Sequence, residues 1–138
     1  MHEIVVGVDE SSTSLQAAKR AAQMAVALDQ PLHLVMAVKN GMSFGIRVGS
    51  DEFQVDWVGN AAQFLKDMCG DLPVPEATYA LGGKDPAKSL VEEAERLHAS
   101  MIVVGNRRVK GAGRLLGAIA HDVVHHATCD VLVVDTTG

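Results

Sequence analysis

The sequence predicts a doubly wound α/β domain in which a five-stranded parallel sheet is sandwiched by helices. Short β-branched runs alternate with longer amphipathic or alanine-rich stretches along its 138 residues. Strands separated by helices of about ten or more residues need crossover connections, which are right-handed and build a parallel sheet. The first, second and fourth strand-like runs are also apolar on both parities, as strands covered by helices on both faces are.

Residues 3–8 (Glu-Ile-Val-Val-Gly-Val) form the first strand and end at Asp9. Ser11, Ser12 and Thr13 supply N-cap hydroxyls for a helix over 14–28. There Leu15, Ala18, Ala21, Ala22, Ala25 and Leu28 recur at helical spacing, and such small residues let a helix sit close to a sheet. Asp29-Gln30-Pro31 stops it, and 32–38 reads as the second strand. The stretch 39–54 carries Gly41, Gly45 and Gly49 among isolated Met42, Phe44 and Ile46 and shows no period, so it reads as a long connection, of a kind that is often functional or mobile. Helical spacing returns over 56–68 through Trp57, Ala61, Phe64, Leu65 and Met68, and 76–81 alternates as a half-buried strand. Asp85-Pro86, a cap followed by proline, opens a helix that runs to about His98. Residues 101–104 form the fourth strand, ending at Gly105; 106–113 form a basic, glycine-bearing loop; 115–126 is helical; 131–134 is the last strand. In sheets of this class ligands bind at the carboxyl ends of strands where the strand order reverses. Asp9 and Gly105 each stand at such an end.

Composition narrows the function. Apolar residues make up 48% and charged residues 21%, so a buried core is expected and disorder is not. No window approaches the roughly 18 consecutive apolar residues of a membrane span. The start, Met1-His2-Glu3-Ile4, lacks the basic and apolar regions of a secretory signal. Cys69 and Cys129 form no CxxC pair, which suits a reducing, cytoplasmic setting and buried, inert thiols. A net charge of -5 argues against nucleic-acid binding, which needs a basic footprint.

Three segments together resemble one family. Gly7-Val8-Asp9-Glu10-Ser11-Ser12 precedes an alanine-rich helix, Met101-Ile102-Val103-Val104-Gly105-Asn106-Arg107 precedes Gly113-Arg114-Leu115-Leu116-Gly117, and the chain closes with Cys129-Asp130-Val131-Leu132-Val133-Val134. This pattern is similar to the universal stress protein family over essentially the whole chain. The resemblance implies a single domain with a Rossmann-like fold of the adenine nucleotide alpha-hydrolase-like kind. Some members of that family bind ATP and others do not, and they share no single catalytic reaction.

In the ATP binders a glycine after the fourth strand is followed by two residues, a second glycine, roughly nine residues, and then glycine with serine or threonine. Those glycines let backbone N–H groups and a helix N-terminus approach phosphate. Here Gly105 matches the first glycine and Arg108 replaces the second. Gly117 matches the third one residue early, Ala118 replaces the hydroxyl residue, and Ile119 follows. A lost hydroxyl donor costs on the order of 1–3 kcal/mol if nothing compensates, and a side chain at 108 obstructs close backbone approach. Against that, Gly111 and Gly113 can re-register the loop, and Arg107, Arg108, Lys110 and Arg114 supply cations suited to phosphate. For the adenosine end the resemblance implies Gly7, Val8 and Asp9, Ala37 in the second strand, and Val104 beside Gly105. Asp9 reads equally as an acceptor for ribose or for a magnesium–phosphate complex and as a cap for the helix that follows.

Other constellations carry less. His121 and His125 share a helix face, but no third metal ligand is identifiable, and histidines near a helix end also suit its dipole. No G-x-S-x-G elbow or P-loop is present, so catalysis is not the expected role beyond slow ATP hydrolysis. The last strand, Val131, Leu132, Val133 and Val134, is apolar and falls at a sheet edge, which invites pairing with a second copy in a homodimer. Two readings stay open: a regulatory module that binds an adenine nucleotide such as ATP, with magnesium, and a nucleotide-free homodimeric interaction protein of the same fold.

Overall fold

The apolar runs place their residues in a sheet whose order fixes where a ligand can sit. The computed structural model describes residues 2–9, 11–37, 44–48, 51–55, 57–106 and 116–136. Within them the elements run β1 (Ile4–Gly7), α1 (Ser12–Leu28), β2 (Leu32–Ala37), β3 (Phe44–Val48), β4 (Asp51–Val55), α2 (Trp57–Asp71), β5 (Ala77–Gly82), α3 (Pro86–Leu97), β6 (Met101–Asn106), α4 (Ala118–His126) and β7 (Asp130–Asp135). Five strands pair in the order β5-β2-β1-β6-β7, every pair parallel. The fold is the doubly wound α/β sheet that the sequence predicts.

Strand parity divides the core into two layers. Ile4, Val6, Leu32, Leu34, Met36 and Val103 face α1 and α2, where Ala18, Ala21, Ala22 and Leu65 are buried against them. Val5, Val35, Ile102 and Val104 face α3 and α4, meeting Leu90, Ala94 and Val123. The alanine stripe of α1 is what allows the close approach: Ala18, Ala21 and Ala22 are each 0% exposed. From β1 the chain winds outward through β2 to β5, then crosses back to β6 and β7, so the reversal lies between β1 and β6.

Several boundaries differ from the sequence reading. The stretch read as an aperiodic connection contains β3 and β4, an antiparallel pair with Phe44 opposite Val55 and Val48 opposite Asp51. Its glycines hide the alternation of Phe44, Ile46 and Val48, and of Phe53 and Val55, on either side of Gly49-Ser50, a dipeptide suited to a two-residue hairpin. The pair forms its own sheet and leaves the five-stranded one unchanged. β6 continues to Asn106, so Gly105 lies inside the strand and pairs with Val134. α4 begins at Ala118 and not at 115. Cys69 and Cys129, expected to be buried, are only half-buried. Burial still pushes both thiols upward in pKa, away from the reactive thiolate. Among the described residues no helix is long and apolar enough to cross a membrane.

One buried polar group stands at the opposite end of the strands from the reversal. His33, 5% exposed in β2, shares a 2.6 Å hydrogen bond between Nδ1 and Thr78 Oγ1 of β5. Its Nε2 and Glu3 Oε2 are buried without a hydrogen-bond partner among the described residues. Glu93 Oε1 of α3 lies 4.0 Å from Nε2 and is itself paired with Arg96. Burial lowers the His33 pKa below 6.5, outweighing the pull of Glu93 and Glu3, so the ring is neutral at pH 7 and the contact with Glu93 is no ion pair. The unfolded chain therefore binds the proton more readily than the folded one. Its contribution to stability is complete above about pH 6.5 and is lost as pH falls through the lower folded-state value. The urea midpoint is expected to drop between pH 7 and pH 5, with a shallower drop in His33→Gln; equal slopes in both proteins would exclude His33 as the cause.

Candidate functional site

Where the strand order reverses, the carboxyl ends of β1, β2 and β6 open into a cleft of about 410 Å³. Its lining includes Gly7, Val8, Asp9, Ala37, Val104, Gly105 and Ile119 from among the residues singled out by sequence, and also Ser11, Thr13, Ser14, Ala17, Val35, Pro86, Leu90 and Thr136. The fourth strand of the sequence reading is β6, so its pairing with the first strand at this cleft is the β1–β6 junction.

Two walls of different character result. Val35, Ala37, Pro86, Leu90, Val104 and Ile119 form an apolar wall on the side of α3 and α4. Asp9, Ser11, Thr13, Ser14 and Thr136 form a hydroxyl-rich wall on the side of α1. Apolar surface with a few placed polar groups is the usual make-up of a small-molecule site. The glycines between the walls are there for space. A Cβ on Gly7 would stand 2.7 Å from Leu90 Cδ1, so glycine lets α3 close on β1. One on Gly105 would stand 3.1 Å from Thr136 Cγ2 and 3.4 Å from Ala17 Cβ.

The polar wall is ordered by local hydrogen bonds. Ser11 is the N-cap of α1, its hydroxyl accepting from the Ser14 N–H. The Asp9 N–H donates to Ser14 Oγ at 2.7 Å. Asp9 Oδ1 in turn accepts from the Ser11 N–H at 2.8 Å and from the Ser11 hydroxyl. Asp9 thus braces the cap without being the cap itself, and it remains exposed at the mouth of the cleft. Asp9 is also the one carboxylate among the described residues lining the cleft.

The remaining sequence-predicted residues fall elsewhere. Gly117 and Ala118 stand at the start of α4, beside Ile119 but outside the cleft's lining. The Gly117 N–H, expected to face a phosphate, instead donates to Asn106 Oδ1 at 2.7 Å. Its φ of -64 is ordinary, so no left-handed turn requires glycine there. Arg108, with Arg107, Lys110, Gly111, Gly113 and Arg114, lies outside the described residues. Val131, Leu132, Val133 and Val134 lie in β7, an edge strand. His121 and His125 stack with ring centroids 6.1 Å apart, and no group of three His, Cys, Asp or Glu among the described residues could hold a metal ion. Sequence reasoning passed over Leu90, Pro86 and Thr136 as cleft residues. Their signal was weak but present, since each follows or faces the carboxyl end of a parallel strand.

The chain is similar to known proteins along its length. A family model described as the universal stress protein family matches residues 1–135. Universal stress protein A homolog 1 from Coxiella burnetii is 31% identical over 137 residues, covering 95% of this chain and 94% of that protein. Among solved structures, a universal stress protein in complex with cAMP superposes with a TM-score of 0.70 at 26% identity, covering 98% of this chain and 97% of that one. The universal stress protein from Archaeoglobus fulgidus in complex with dAMP gives a TM-score of 0.70 at 23% identity, covering 96% of this chain and 97% of that one.

Proposed function

Since the chain belongs to the universal stress protein family, we propose that it is a regulatory module that binds an adenine nucleotide across the carboxyl ends of β1 and β6. The observation that carries this reading is a cleft at the reversal of strand order with one apolar and one hydroxyl-rich wall. The adenine ring suits the wall of Val35, Ala37, Leu90 and Val104, where burial of apolar surface is favourable. Asp9 suits the ribose hydroxyls, which need an acceptor, and the open floor at Gly105 admits the phosphate. That relatives were solved with cAMP and dAMP supports the ligand class. Magnesium would rest on phosphate oxygens with at most the second Asp9 oxygen, because Mg²⁺ sites on nucleotides commonly use one carboxylate plus phosphate and water. The role is read as binding and signalling, with hydrolysis slow at most.

Freshly purified protein is expected to release an adenine nucleotide on denaturation, or to bind AMP or ATP on titration. An empty extract together with a flat titration would refute the reading.

A second reading draws on β7. This edge strand is half-buried through Val131–Val134, and a groove formed with Gln16, Lys19, Arg20 and Gln23 of α1 runs along it. An apolar edge is a template for pairing with another copy, closed by a two-fold axis. A homodimer through β7 is expected in sedimentation at micromolar protein. Monomer mass under those conditions would eliminate it.

A further inference from the structure

The amino end of the sheet, away from the cleft, holds a hydroxyl, an imidazole and a carboxylate in series. β5 is an edge strand, and its second residue, Thr78, stands in register beside His33 of β2. Thr78 is exposed, whereas His33 is buried. Thr78 Oγ1 and His33 Nδ1 share a hydrogen bond of 2.6 Å. Across the ring, Glu93 Oε1 of α3 lies 4.0 Å from Nε2. Cys69 of α2 braces the strand at this point, its Sγ donating to the Thr78 carbonyl at 3.6 Å.

The charges around the ring set the direction of the hydrogen bond. Glu93 and Glu3 both favour positive charge on His33, and Arg96 opposes it. A carboxylate facing Nε2 favours the hydrogen on that nitrogen, which leaves the Nδ1 lone pair for the Thr78 hydroxyl. Thr78 is then the donor, and its oxygen keeps both lone pairs. Burial holds the ring neutral at pH 7, so it is available as a base. Nε2 and Glu3 Oε2 are both buried without a hydrogen-bond partner among the described residues. A second proton on the ring would set an imidazolium beside two carboxylates, so this surrounding stabilises the proton-accepting state as it forms. A hydroxyl bonded to a base, with a third group behind the base, is the arrangement of an activated oxygen nucleophile.

We propose that Thr78 is an acyl-acceptor site, with His33 as its general base and Glu93 as the group that orients the ring and stabilises its protonated form. A small acyl donor with a good leaving group reaches the exposed hydroxyl from solvent along the sheet edge. The Thr78 oxygen forms a bond to the acyl carbon, and the bond from that carbon to the leaving group breaks with its electron pair on the leaving group. The hydroxyl proton passes to His33 Nδ1 and from there to solvent. The product is an ester at Thr78, formed without any nucleotide in the cleft.

The test is incubation of the full chain with p-nitrophenyl acetate, following p-nitrophenolate release and locating the acetyl group by peptide mass spectrometry. An ester at Thr78 that alkaline hydroxylamine cleaves is expected. Thr78→Val should lose the fast release and Thr78→Ser should keep it. His33→Gln, which retains a hydrogen-bonding group but no base, is expected to slow labelling of Thr78 by about hundredfold, and Glu93→Gln by less. In the wild-type chain the labelling rate should be level above about pH 7 and fall as acid protonates His33, below about pH 6.5. That profile needs no variant, so it decides the matter even if His33→Gln fails to fold. Absence of an ester at Thr78, acetylation confined to Cys69 or to amines, or an unchanged rate in folded His33→Gln would overturn the assignment. So would a rate that climbs steadily with pH above 7, as attack by a hydroxyl ionised without a base does.

Discussion

Gly105→Val is expected to abolish adenine-nucleotide binding, with an affinity loss of about hundredfold or more, equivalent to roughly 3 kcal/mol. Gly105 sits inside β6, paired to Val134, with Ala17 of α1 against it. The first added carbon already meets Thr136 Cγ2 at 3.1 Å and Ala17 Cβ at 3.4 Å. Two further methyl groups would fill the floor of the cleft and push Thr136 aside. Overpacking of this kind also costs about 1–3 kcal/mol of stability. The two effects separate experimentally: urea unfolding reports the strain, and titration with AMP on protein kept well below the unfolding midpoint reports the site. Gly105→Ala should fall between wild type and valine, because one carbon at that spacing needs only a small shift of Thr136. Retention of wild-type affinity in Gly105→Val would mean that the ligand does not approach β6.

Ile102→Ala is expected to destabilise the fold by about 2–5 kcal/mol. Ile102 is 0% exposed and lies mid-strand in β6, opposite Val5 on one side and Val131 on the other. It belongs to the layer that seats α3 and α4 on the sheet, with Leu90, Ala94 and Val123. Removing its outer carbons leaves a void that strands hydrogen-bonded on both sides cannot close. Total stabilities are only about 5–15 kcal/mol, so the urea midpoint should fall sharply. Val124→Ala, at a side chain 47% exposed on α4, is the matched control and should stay within about 0.5 kcal/mol of wild type. A loss in Ile102→Ala as small as in that control would show that the α3–α4 layer packs loosely against the sheet.

The fold was legible because the central strands are unambiguous. Runs such as Ile4-Val5-Val6 and Ile102-Val103-Val104 are apolar on both parities, which in a chain this short fits only a sheet covered twice. The alanine stripe of α1 and the Asp85-Pro86 start of α3 carry their structure locally, and the side chain of Asp85 caps α3 by accepting from the Lys88 N–H. The β3–β4 pair was missed because glycines at 45 and 49 lower strand propensity and break the apolar count, although the alternating side chains remain.

The site was legible in part, along the same division. Gly7, Asp9 and Gly105 are found by asking what stands at the carboxyl end of a parallel strand. Thr136 is not, because its importance comes from lying beside a glycine 31 positions earlier, a neighbour that only the β6–β7 register supplies. The hydrogen bond of Gly117 is hidden in the sequence for a related reason. Spacing suggests a phosphate-facing N–H, whereas the extension of β6 brings Asn106 Oδ1 into hydrogen-bond distance and occupies that donor. Likewise His33 draws no notice in a strand sequence, and only its enclosure between β5 and α3 makes it a buried titratable group.

The central claim is that an adenine nucleotide occupies the β1–β6 cleft, and its most direct test is heteronuclear NMR of the chain during titration with AMP. The account predicts saturable shifts of the Gly7, Val8, Asp9, Val104, Gly105 and Thr136 amides, while His33 and Thr78 at the far end of the strands stay in place. Absence of saturable shifts at millimolar AMP, or shifts confined to a second groove between α3 and α4, lined by Lys88, Glu92, Asp122 and His126, would contradict it.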